Sequence, residues 1–193
     1  METTKEVSKN EMLENLARRR AIYPDKFNAQ PITREEVGEL LEAARYAPTH
    51  KLTEPWRFHV ILGQAKNNVA AQVREYVEHR TGDPEKGLRM KEKFDQSQTV
   101  IVVAFQRDAR ERLPEWEEIA STAMAVQNIW IYADSLGMGG YWSTGAPAVE
   151  ALTRIVDLQD GEKVLGLFFL GRHDHIPRTR PSKSVDQFTT WMV

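Results

Sequence analysis

WEEIASTAMAVQNIWIYADSLGMGGYWSTG, residues 116–145, decides how the chain is built. Residues 116–136 read as the longest helix, and Gly137 stops it. Its opening acids, Glu115, Glu117 and Glu118, suit the positive end of the helix dipole. Ala120, Ala123, Met124, Gln127 and Ile131 recur three or four residues apart, which predicts that they form the inner face. The small alanines on that face would let another backbone approach closely. Beyond Gly137, residues 140–143 read as a short strand. The glycines around it permit either a tight helix-to-strand turn or close approach of backbone to a flat ligand. The run is not a dinucleotide fingerprint, because a helix precedes it and the G-x-G-x-x-G spacing is absent; nor does it contain the Gly-Lys-Ser/Thr of a phosphate-binding loop.

Outward from this segment, helices and strands interleave. Ser8 with Glu11 and Thr33 with Glu36 each have capping-box spacing ahead of apolar runs, so helices begin at both places. The second ends near Tyr46, because the residue before Pro48 is pushed out of helical conformation. Residues 56–62 (WRFHVIL) predict a strand, with a helix running on to about His79. The polar stretch 79–93, interrupted by Gly and Pro, predicts a loop in its first half. Residues 99–106 (TVIVVAFQ) are a buried strand; a helix near 148–156 and a strand at 163–170 close the pattern. The expected fold class is α+β, one domain over 1–193, with a sheet flanked by helices. The aromatic end of the tail, Phe188 and Trp191, is expected to dock, on a second subunit in one arrangement.

Composition narrows the chemistry. With 193 residues, 41% hydrophobic and 28% charged, the chain has the make-up of a globular protein. Its formal charge of −2 supplies no general basic field for nucleic acid, and no apolar run approaches the length of a membrane span. Met1–Met12 mixes charges and lacks an apolar core, so no secretory signal is expected there. Absence of cysteine excludes thiolate chemistry, disulfides and cysteine-ligated metals, and accords with a cytoplasmic location. His173-x-His175 lacks a second ligand cluster, and no G-x-S-x-G elbow is present.

Candidate binding residues fall in several places. Arg18, Arg19 and Arg20 point in three directions on a helix, so either they form a solvated basic end or one or two of them clamp a phosphate. The loop from Tyr46 through His50 and Lys51 to Trp56 is polar yet stiffened by Pro48 and Pro55; Trp56 and Phe58 read as core. Arg172, Arg178, Arg180 and Lys183 in the tail are either solvated or include one that returns to the same phosphate.

Taken in order, these segments resemble the nitroreductase family of FMN enzymes, in its small single-domain, YdjA-like branch. The likeness rests on Arg19-Arg20-Ala21, Ala47-Pro48-Thr49-His50-Lys51, Pro55-Trp56-Arg57-Phe58, the alanine-rich helix, Gly139-Gly140-Tyr141-Trp142-Ser143-Thr144-Gly145 and Leu170-Gly171. None is specific alone; their shared order over nearly the whole chain is what counts. The resemblance implies a nitroreductase-like fold with a mostly antiparallel central sheet, and a homodimer with swapped tails and FMN at the subunit interface. It implies that Arg19, Arg20 and Ala21 hold the phosphate and ribityl end, with Arg180 completing that site. Tyr46 and His50 would lie by the flavin, His50 reaching the flavin of the other subunit. A cation such as His50 or Lys51 near the pyrimidine edge would stabilise reduced flavin. Trp142, Ser143 and Thr144 would run along the ring system and offer backbone donors. Two positions depart from the pattern: Ala21 lacks the frequent hydroxyl, and Tyr46 replaces a basic residue, leaving stacking or a phenol hydrogen bond. The implied activity is ping-pong transfer of hydride from NAD(P)H through flavin N5 to a nitroaromatic, quinone or similar small-molecule acceptor. No protein side chain is implied as nucleophile or obligatory acid–base. The alternative is a flavin carrier or redox-linked regulator without turnover.

Overall fold

A computed structural model describes residues 9–176 and 182–192. Ser8, Arg178 and Arg180 therefore lie outside the described residues. Six α-helices appear among those described: α1 (Lys9–Arg18), α2 (Arg34–Ala44), α3 (Gly63–Thr81), α4 (Pro84–Gln96), α5 (Glu115–Ser135) and α6 (Ala146–Ile155). Four strands, β1 (Trp56–Ile61), β2 (Thr99–Gln106), β3 (Met138–Ser143) and β4 (Glu162–Arg172), form one sheet in the order β1-β2-β4-β3, every pair antiparallel. This is the α+β architecture with a sheet flanked by helices that the sequence predicts.

Side-chain alternation along β2 explains the layering. Ile101 and Val103 pack with Phe168 and Leu170 against α2 and α5, whereas Val100 and Val102 pack with Leu167 and Phe169 against α3, α4 and α6. Helices cover both faces, so β2 is apolar from Val100 to Phe105 even though its neighbours are antiparallel. A bulge between Val103 and Ala104 shifts the register against β4.

The capping box at α2 forms as read. Glu36 N–H donates to Thr33 Oγ1 at 3.2 Å, and Thr33 N–H donates to Glu36 Oε2 at 2.9 Å. The Thr33 N–H bond, helped by Arg172, holds the Glu36 carboxyl below its ordinary range. Arg172 also donates to the Leu136 carbonyl at 3.1 Å and the Pro31 carbonyl at 3.3 Å. It thereby satisfies an orphan carbonyl at the end of α5 and ties that end to α2 and β4. This commits Arg172 to structure, not to the phosphate role allowed by the sequence.

Two expectations need correction. Residues 79–85 are not a loop: α3 runs to Thr81, and only Gly82 and Asp83 separate it from α4. Gly82 takes the left-handed cap position (φ 64°), and Asp83 caps α4 with Pro84 in its first turn, so the supposed breakers are stop and start signals. The inner face of α5 is also different. Glu118, Ser121, Thr122, Ala125, Val126, Ile129 and Ala133 are buried, while Met124 and Gln127 are exposed and Ala120, Ala123 and Ile131 are half-buried. Glu118 can be fully buried because Arg107 pairs with it and Asp108 N–H donates to it at 2.9 Å. Among the described residues, no helix is long and apolar enough to cross a membrane.

Candidate functional site

The first half of the candidate site assembles on the free edge of β3. Gly137 (φ 71°) ends α5, and the chain turns directly into β3. Beyond α1 the backbone crosses to this edge, where Ala21 forms a parallel bridge with Gly140 and Ile22 N–H donates to the Gly140 carbonyl at 3.0 Å. Gly139 makes that approach possible, while Gly140 makes room for the Phe168 ring of β4. A Cβ at Gly139 would lie 2.7 Å from Ile22 Cβ, and one at Gly140 would enter the Phe168 ring. The Gly140 carbonyl faces outward, so alternation along the strand turns the backbone polar groups of Trp142 to the same open edge.

The three arginines diverge, as a helix requires. Arg18 pairs with Asp134 near the end of α5 at 3.0 Å. Arg19 stacks its guanidinium over the Trp130 ring, 4.4 Å from the centroid. Arg20 donates from Nη1 to the Arg19 carbonyl at 2.9 Å, but its buried Nε has no hydrogen-bond partner. Two residues past Gly140, the indole Nε1 of Trp142 is also buried without a partner, close over Gly166 of β4. Ser143 is buried and Thr144 is exposed at the strand's end. Arg20 Nε and the Trp142 indole thus belong to adjoining segments and are donors with no acceptor, a costly arrangement that a polar ligand would relieve.

The second half follows α2. Tyr46 is 73% exposed and donates its phenol to Glu42 Oε1 at 3.1 Å, with Arg45 over its ring. His50 Nδ1 lies 2.7 Å from Glu117 Oε2 at the start of α5. Lys51 Nζ donates to the Arg112 carbonyl at 3.2 Å. Lys51, Leu52 and Glu54 all have positive φ, 53°, 51° and 41°, in a non-glycine loop. A cavity of about 380 Å³ opens beside it, lined by Pro48, His50, Trp116, Ala120 and Met124 among others. Ala120 and Met124 belong to the α5 stripe that faces away from this chain's own core.

These halves do not meet around one point. From Glu117, which His50 contacts, to Trp130, which Arg19 covers, α5 extends for about 20 Å at 1.5 Å per residue. The structure brings Arg19, Arg20 and Ala21 to the strand of Trp142 and Ser143, and leaves Tyr46 and His50 toward the other end of α5. Trp130, Asp134 and Gly166 escaped the sequence reading. A tryptophan in a helix rich in small residues was the one available signal.

The nitroreductase family model matches residues 16–172 of the chain. "Putative NAD(P)H nitroreductase YfhC" of Bacillus subtilis is 28% identical over 195 residues, spanning 98% of this chain and 99% of its own. "Putative NAD(P)H nitroreductase YdjA" of Escherichia coli is 27% identical over 156 residues, 80% of this chain and 82% of its own. The fold is shared with a crystal structure of a "putative nitroreductase in complex with FMN" from Desulfovibrio desulfuricans. That similarity has a TM-score of 0.75 at 18% identity, over 96% of this chain and 99% of the other.

Proposed function

This chain belongs to the nitroreductase family, and we propose that it is an FMN-dependent NAD(P)H oxidoreductase that works as a homodimer on nitroaromatics, quinones or related acceptors. The observation that carries the reading is the buried, partnerless Nε of Arg20 beside the Ala21–Gly140 bridge. A guanidinium donor without an acceptor at that edge suits an anionic, polar cofactor. The FMN bound by the Desulfovibrio relative and the NAD(P)H in the relatives' names support the same choice.

Arg19 and Arg20 would hold the phosphate, with Ala21 contributing backbone alone because it has no hydroxyl. Arg180, outside the described residues, is proposed as a further cation there. The Trp142 backbone donor, on the open edge, would meet the polar edge of the ring system, with Ser143 and Thr144 lying along it. When bound, FMN supplies the capacity to accept and return a hydride. The protein's residues bind, orient and exclude water; none is assigned as nucleophile. Tyr46 and His50 would complete the site from the partner subunit, which accords with their place toward the other end of α5. The outward α5 stripe supports such pairing, as do Trp116 (66% exposed), Phe188 (69%) and Trp191 (73%), apolar surface that association would cover.

The decisive experiment begins with the purified protein. It should carry flavin absorbance, bleach anaerobically with NADH or NADPH, and give parallel double-reciprocal lines with a nitroaromatic or quinone. Colourless protein that gains no thermal stability from added FMN overturns the proposal. Flavin that binds but is not reduced by either nicotinamide would mark a carrier instead.

A further inference from the structure

Beyond the end of β3, a groove of about 250 Å³ lies between α3, α4 and the start of α6. Its walls include Lys86, Arg89, Met90 and Lys93 of α4 with Gly145 and Pro147 of α6, and no carboxylate lines it among the described residues. Lys86, Arg89 and Lys93 follow one another at three- and four-residue spacing, so they share a helix face and repel one another. Two of the three have ion-pair partners outside the groove lining, but loosely: Asp83 is 3.8 Å from Lys86 and Glu85 is 3.8 Å from Arg89, too long for a hydrogen bond, and both basic side chains are more than half exposed. Lys93 Nζ sits 5.3 Å from the Tyr141 ring centroid, immediately before Trp142 on β3. The groove therefore opens where β3 ends, since Gly145 in its wall directly follows Thr144, while the Lys93–Tyr141 contact lies on the opposite sheet face from Trp142.

On the function proposed above, we infer that this groove is an anion subsite that takes a phosphate group of the nicotinamide dinucleotide. Nitroaromatic and quinone rings need not carry charge, whereas the electron donor always carries a pyrophosphate and, in NADPH, a 2′-phosphate as well. An extended donor with its nicotinamide near Trp142–Thr144 has its phosphates at a distance from the ring, which is what a groove past Gly145 accommodates. Convergent Lys and Arg side chains with no carboxylate in the lining suit a multiply charged oxyanion. The start of α6 at Gly145, which no side chain caps, adds to the same field without carrying the argument.

The test compares wild-type protein with Lys86→Ala/Arg89→Ala, two exposed positions whose loss should leave folding intact. Binding of 2′,5′-ADP and of 5′-ADP is measured by calorimetry, which needs no turnover, alongside KM and kcat for NADPH and NADH. The variant should weaken nucleotide binding and raise KM by about tenfold or more, with flavin content and kcat unchanged. A larger loss for 2′,5′-ADP and NADPH assigns the 2′-phosphate to the groove; equal losses assign the pyrophosphate. A yellow, reducible protein whose variant binds both nucleotides as the wild type does overturns the subsite alone. Colourless wild-type protein that neither nicotinamide reduces overturns the proposed function, and the subsite with it.

Discussion

The β3 edge and the loop at residues 49–54 are two halves of one candidate site built on opposite principles. At β3, backbone does the positioning: Ala21 pairs with Gly140, Ile22 N–H reaches the Gly140 carbonyl, and Arg172 fastens the end of α5 that leads into the strand. At 49–54, three non-glycine residues hold positive φ, and side chains on the surface supply the anchors, His50 to Glu117 and Lys51 to the Arg112 carbonyl. One half is positioned by backbone contacts within its own chain. The other is strained and open, which suits the proposed completion by a second subunit.

The largest expected effect comes from breaking the packed half. Gly140→Val drives its side chain into the Phe168 ring, beneath the residue that Ala21 bridges. Overpacking of this kind costs about 1–3 kcal/mol, read as a lower denaturation midpoint with loss of bound flavin. An unchanged midpoint would mean that the edge yields easily and is not the rigid half.

An effect of comparable size, confined to flavin binding and leaving the fold intact, sharpens the division between the halves. Arg20→Ala should weaken FMN binding by about 1.5–3 kcal/mol, the range for a charge-assisted hydrogen bond. His50→Ala should alter turnover with little change in stability, because a polar contact of an exposed side chain contributes less than about 1 kcal/mol. If each site draws Arg20 from one chain and His50 from the other, mixing the two variants under dissociating conditions restores intact sites. Random reassociation makes half the dimers mixed, each with one intact site, so about a quarter of the sites recover. Activity no higher than the average of the separate variants would place both residues in the same chain's site.

Local chemistry was readable in the sequence where neighbours along the chain decide it. Thr33 and Glu36 cap α2 because their spacing alone permits the reciprocal bonds. The run at 99–106 is a strand because β-branched residues fill both faces. Reading failed where the answer depends on a distant partner. Glu118 looks like a surface acid until Arg107 neutralises it in the interior, and without that pairing the buried stripe of α5 cannot be told from the open one, since both are rich in small residues. Gly82 and Pro84 mark loops and helix boundaries alike, and it takes the packing of Phe94 against Phe169 to make the segment that Asp83 caps a helix of the core. The site shows the same limit. The order of its motifs is visible, but the bridge from Ala21 to Gly140 and the separation of His50 from Arg19 along α5 are tertiary facts.

The smallest expected effect probes the strained half directly. Leu52 holds φ at 51° with its side chain 81% exposed, so its native conformation gains little packing to offset the left-handed backbone. Glycine adopts that conformation without the Cβ clash, but it loses more entropy on folding; the first effect is about 1–2 kcal/mol and the second about 0.5–1. Leu52→Gly should therefore stabilise the protein by about 0.5–1 kcal/mol, seen as a slightly higher denaturation midpoint. The same substitution removes an exposed apolar side chain near the proposed interface, so dimer dissociation should become easier while isolated-chain stability rises. Those opposite signs are the signature of strain held for a partner's benefit. A fall in stability at protein concentrations too low for dimers would show that the loop is supported from within its own chain, and the contrast with the β3 edge would disappear.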